Sequence, residues 1–168
     1  RTLHTEISKK ALSIINPTGV CCFILPSSVC TSSKYSVFRN KLLDLNAAMD
    51  VLSFDIMPSS LFDQLKYEKT AKGVSSSISV RASIFFINKM GDRKGKIRTT
   101  RMIRFKKSER EQIFDKKKIP FCIVPRKLIH KLNVIPHISY PKELMLMNKL
   151  ISYRTIGDYV TEKEVPGV

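Results

Sequence analysis

Acidic residues are scarce in this sequence: fourteen Asp and Glu stand against thirty Lys and Arg, a formal net charge of +16 over 168 residues. So basic a balance favours a polyanionic partner, because every phosphate neutralised releases condensed counterions. Paired cysteine motifs are missing. Cys21 and Cys22 are neighbours in an apolar run, Cys30 and Cys122 stand alone, and without a CxxC pair no zinc ribbon or finger is expected. The four read better as reduced, mostly buried thiols. No apolar run reaches transmembrane length and no signal-peptide layout is present, so the chain is expected to be soluble and cytoplasmic, with no membrane partner. The basic residues do not accompany a strongly amphipathic stripe either, which argues against a membrane surface. His4, His130 and His137 are dispersed without a Ser or Cys partner set, and none is assigned catalysis. Asp44, Asp50, Asp55 and Asp63 lack a Glu-x-Lys companion, which sets a metal-dependent nuclease aside. Internal repeats and low-complexity tracts are absent.

What is present suffices for a core. Hydrophobic residues make up 43% of a chain with room for one domain, or one domain and a short extension. A start at Arg1 instead of Met suggests a fragment or a processed chain. The positive charge is concentrated: residues 81–118 hold fourteen Lys and Arg against four Asp and Glu, a local net of +10. The plain alternative to a nucleic-acid surface is a basic face kept for solubility.

Periodicity gives an α/β rhythm. Residues 5–15 place Ile7, Ala11, Leu12, Ile14 and Ile15 on one helical face, and Asn16-Pro17 with Gly19 stops the helix. The run VCCFILP at 20–26 reads as a strand covered on both faces. Residues 27–33 read as a Ser-rich loop, 34–45 as a helix carrying Tyr35, Phe38, Leu42 and Leu45, and 49–56 as a second strand. A long polar loop over 57–77 follows, of a length that is usually functional. The third strand holds Ile84, Phe85, Phe86 and Ile87 as its apolar core; with no helix before it, it should lie antiparallel to the second. Residues 96–105 read as an exposed, Arg-rich edge strand, and 107–115, 125–133 and 141–152 as helical pieces.

The run GVCCFILPSS at 19–28 followed by YSVFRNKLL at 35–43 resembles the γ-type adenine-N6 DNA methyltransferases of type I and type IIG restriction-modification systems. LSFDIMPSSLFD at 52–63 resembles the strand and turn that close the adenine pocket there, and VRASIFFINK at 80–89 the seventh, antiparallel strand. KIRTTRMIRFKKSER at 96–110 and IPHI at 135–138 follow in the same order, so the likeness covers roughly residues 5–150. The resemblance implies a partial Rossmann-like class I methyltransferase sheet. Residues 1–90 would supply its last three strands, one antiparallel, and residues 91–168 a basic, helical extension toward a target-recognition domain, with 155–168 as a linker.

It also implies a chemistry. In this family S-adenosyl-L-methionine methylates the exocyclic N6 of an adenine flipped out of double-stranded DNA, since that nitrogen is otherwise paired and stacked. Phe62 falls where an aromatic residue stacks on the extruded base, against a plain core role; such stacking is worth about 1–3 kcal/mol. Pro26 and Ser27, ending a parallel strand at its carboxyl edge, would shape the pocket floor. Arg98, Arg101, Arg104, Lys106 and Lys107 would contact phosphates as a group. Arg39 is a candidate DNA contact, against a surface helix residue or ion-pair partner. Arg81 is read as facing the sheet surface. Asn16-Pro17-Thr18-Gly19 lacks the second Pro and the aromatic of the family's Asn-Pro-Pro-Tyr signature and precedes the wrong strand, so it is a helix stop. With that signature and the Gly-rich loop for the methyl donor both absent, no residue here is assigned to catalysis or to cofactor binding. The chain is expected to be inactive alone, to need a missing N-terminal methyltransferase half or partner chain in a bacterial or archaeal cytoplasm, and to self-associate in isolation. The rival readings are a freestanding basic nucleic-acid-binding module without catalysis and a structural interaction protein.

Overall fold

The structure is a computed structural model, and it describes residues 3–61, 80–90, 95–115 and 118–154. Five strands form one mixed sheet in the order β1-β3-β2-β4-β5: β1 (Val20–Pro26), β2 (Ala48–Phe54), β3 (Ala82–Asn88), β4 (Ile97–Ile103) and β5 (Cys122–Val124). β3 lies between β1 and β2 and is antiparallel to both, so β1 and β2 run the same way. β4 is parallel to β2, and β5 is antiparallel to β4. Three parallel strands therefore present their carboxyl ends at a single edge.

Among the described residues, five α-helices accompany the sheet: α1 (Leu3–Ile14), α2 (Ser28–Thr31), α3 (Ser36–Asp44), α4 (Arg126–Leu132) and α5 (Pro141–Ile151). The main core joins Phe38, Leu42 and Leu43 of α3 and Leu128 and Ile129 of α4 to Met49, Val51, Phe85, Ile87, Ile97 and Val124 of the sheet. Leu12 of α1 and Val29 and Cys30 of α2 complete it, with Leu144, Met147 and Ile151 of α5 packed against it. All of this lies against one face of the sheet.

The opposite face is largely open. Residues directly across from one another point the same way, so the register puts Cys22, Phe86, Asp50, Arg98 and Ile123 in one row, and Ile24, Ile84 and Leu52 in the next. Val20 and Ile24 are 51% and 53% exposed and Phe86 39%. Among the described residues, cover lies toward the carboxyl edge, where Phe105 and Ile113 pack with Phe54, Leu52, Leu61, Ile84 and Ile103. That cover is carried partly by the chain around a short 3-10 helix, Lys107–Gln112.

Several expectations need correction. The strand at 20–26 is not covered on both faces; it is the outermost strand and alternates exposed and covered positions. α1 buries Thr5, Ser8 and Leu12, whereas Ile7 and Ile14 face out. Ser8 tolerates burial because its hydroxyl bonds to the His4 carbonyl. The Ser-rich stretch contains α2, held by the buried Val29 and Cys30. The Arg-rich strand β4 is interior, not an edge, and β4 and β5 extend the same sheet. β4 enters through a turn at Gly95, whose φ of +77° suits glycine; an added Cβ would meet Asn46 Oδ1 at 2.8 Å. Halfway along, β4 gains one residue on β2, a bulge at which Ser53 N–H bonds to the Thr100 hydroxyl.

Candidate nucleic-acid cleft

A cleft of about 720 Å³ opens at the carboxyl edge shared by β1, β2 and β4, the place where open α/β sheets bind ligands. Its lining includes Pro26, Ser27, Asp55, Arg81, Arg104 and His137. Two backbone bonds lace the strand ends that build it: Ser27 N–H to the Arg81 carbonyl at 2.8 Å, and Asp55 N–H to the Ile103 carbonyl at 2.9 Å.

Behind Ser27 runs a buried chain of hydroxyls. Ser83 donates to Ser27 at 2.9 Å, Ser53 lies 2.9 Å from Ser83, and the Cys30 thiol reaches Ser83 at 3.7 Å. Burial pushes the Cys30 thiol up to about 11, so it stays protonated and acts as a donor. A hydroxyl has one proton. With that of Ser83 directed at Ser27, Ser53 and Cys30 donate to Ser83, and the proton of Ser27 is left for the cleft. Ser27 thus keeps a proton to donate.

The charged wall centres on Asp55, which is buried. Arg81 Nε donates to its Oδ1 at 2.9 Å and Arg104 Nε to its Oδ2 at 2.8 Å, while Ile56 N–H donates to Oδ1 at 2.9 Å. The Arg81 bond, then the Ile56 amide and Arg104, overcome the cost of burial and hold the carboxyl down at about 2. His137 sits half-buried in the lining, and burial lowers its imidazole below the ordinary value.

The other basic candidates part company. Arg39 is 1% exposed and points inward, a correction to its assignment as a DNA contact. Its guanidinium donates to the carbonyls of Val29, Ser32 and Asn133 at 2.9, 2.6 and 2.6 Å, closing the ends of α2 and α4. Arg98 lies on the open face, gripping Asp50 through Nε at 2.7 Å and Nη2 at 2.6 Å and stacked 4.5 Å from the centre of the Phe121 ring. Arg101 is paired with Glu143 and lies over Tyr140, outside the cleft. Lys106 and Lys107 are exposed. The expected group of phosphate contacts is therefore not one patch of uncommitted cations: each of its three arginines has a carboxylate partner. Phe62 lies outside the described residues, as do most of the long loop and the 155–168 segment.

The chain matches no family model and no curated protein.

Neither glycine among the described residues suits a methyl-donor loop. Gly19 and Gly95 precede β1 and β4 at their amino ends, on the edge opposite the cleft, so these residues do not fit S-adenosyl-L-methionine. No group of three or more metal-ligating side chains occurs among the described residues. No helix among them is long and apolar enough to cross a membrane.

Sequence reasoning missed Asp55, Arg81 and His137 as cleft residues. Asp55 directly follows β2 and Arg81 directly precedes β3, so a signal existed: both sit at strand ends that the antiparallel pairing brings to one edge. His137 carried no such signal, because its segment reaches the cleft by tertiary packing alone.

Proposed function

We propose that this chain is the trailing part of the catalytic domain of a restriction-modification DNA adenine-N6 methyltransferase, supplying one wall of the flipped-adenine pocket and contacts to the DNA backbone. The observation that carries this reading is the cleft at the shared carboxyl edge, with Pro26 and Ser27 in its lining and an antiparallel strand set between the parallel β1 and β2. Ser27 gives an acceptor on the extruded base a hydrogen-bond donor, held in direction by Ser83. The work of this chain is to bind and orient. S-adenosyl-L-methionine, held by the other part of the domain, supplies the methyl group.

The partner is the part bearing Asn-Pro-Pro-Tyr and the Gly-rich loop. It would cover the open face around Val20, Ile24 and Phe86, which has the apolar character of a docking surface. In isolation the same face promotes self-association.

Co-expression with the protein segment encoded directly upstream, followed by assay of labelled methyl transfer to adenine in duplex DNA, tests the reading. Restored methylation supports it. A stable complex that carries both motifs, binds S-adenosyl-L-methionine and methylates no adenine overturns it, as does an upstream frame encoding neither motif.

A further inference from the structure

Arg81 and Arg104 arrive from different strands and share a single carboxylate. One guanidinium is enough to neutralise Asp55; the second leaves a unit of positive charge at the cleft. The carboxylate is buried, yet the two arginine side chains are 59% and 71% exposed. Each gives only its Nε to Asp55, and among the described residues neither makes another bond that is seen, so both terminal Nη groups face outward. A fork of N–H donors held at its root is the geometry that grips a tetrahedral anion, and anchoring it beforehand reduces the entropy lost on binding. The anchor is rigid: backbone bonds tie Arg81 to Ser27 and Asp55 to Ile103, and Lys106 and Lys107 follow Arg104 within three residues.

We propose that Arg81 and Arg104, braced on Asp55, clamp one backbone phosphate of a DNA strand at the mouth of the cleft. The inference rests on the DNA-directed reading above and adds to it a defined contact, one in which the acidic residue is a positioning residue and the two arginines are the ligands. A phosphate borne by a free nucleotide offers the same oxygens. The diester is the occupant here because a charge of +16 attracts a polyanion far more than a single phosphate.

Binding of a mixed-sequence duplex to the intact chain, followed by fluorescence anisotropy across a salt series, provides the test. Removing both arginines alone would strand a buried carboxylate and could unfold the protein, so the informative variant is D55N/R81Q/R104Q. It lowers the net charge by one, as does the control K10Q on the exposed side of α1. The triple variant should bind several-fold more weakly and lower the slope of log affinity against log salt by about one, the share of one phosphate. K10Q should leave the slope unchanged. Identical isotherms for the two folded variants overturn the clamp, and so does tighter binding of AMP or inorganic phosphate than of the duplex. The assay needs no methyl donor. A clamp that passes while methylation cannot be reconstituted leaves the clamp standing without the methyltransferase; reconstituted methylation with an unchanged KM for DNA in the triple variant does the reverse.

Discussion

Phe85 and Phe86 are consecutive in β3 and live in different surroundings. Phe85 is sealed beneath α3 and its neighbours, while Phe86 stands on the open face beside Cys22 and Asp50. One face of the sheet is finished by this chain's own helices. Among the described residues the other is covered near the carboxyl edge, and Val20, Ile24 and Phe86 stand exposed on it. The contrast places the packing that stabilises the sheet on one side of it.

The largest effect should come from that pair of residues. Phe85→Ala should cost about 3–5 kcal/mol of unfolding free energy in chemical denaturation, whereas Phe86→Ala should stay near the surface range of about 0.5 kcal/mol. Similar losses at both positions would end the distinction between the faces. Next comes Arg39, the buried cation on the helix side. Arg39→Met removes the donors of three carbonyls and should cost about 3 kcal/mol, and Lys should recover only part of it, lacking the fork.

A smaller, pH-dependent effect belongs to the cleft. Asp55 titrates at about 2 instead of its ordinary 3.8, a depressed value, so its stabilisation is present above the ordinary value and is lost as the pH falls through about 2. The stability gap between the wild type and D55N should therefore be widest above pH 3.8 and close toward 2 in acid denaturation followed by circular dichroism. A gap that does not change with pH would remove the carboxylate from the account. The smallest effect is kinetic and leaves the fold intact. Cys22 on the open face should be alkylated in the native chain, while Cys30 and Cys122 should wait for unfolding, as read by mass spectrometry of the labelled peptides. Protection of Cys22 by the proposed partner would sharpen the comparison; fast native labelling of Cys30 would break it.

What the sequence disclosed and what it hid follow a physical line. α3 and β2 were legible because Phe38 and Leu42 repeat at helical spacing and residues 48–54 form a buried run with turn signals around it. The antiparallel placement of β3 was legible from the missing crossover helix. β4 misled because Arg98 and Arg101 within it and Arg104 just after it suggest solvent, yet Arg98 is satisfied by Asp50 on the next strand and Thr99 by the Ile138 carbonyl. Those partners are 48 and 39 residues away, beyond the reach of any local pattern. Arg39 misled in the same manner, since a cation whose donors are satisfied by carbonyls leaves no charge pattern in the chain. Of the cleft, the strand ending at Pro26-Ser27 could be read directly; the Asp55 brace required knowing which strand ends meet.

The position of β3 also bears on how the molecule is made. Synthesis delivers β1 and β2 first, and in the finished sheet they never touch as neighbours; the space between them waits for a strand that emerges from the ribosome last of the three. Until residue 88 is available, β1 lacks the one strand it pairs with among the described residues. The same arrangement ties the two strands together: opening of β3 takes the ladder of β1 with it, so the amides of both should exchange together.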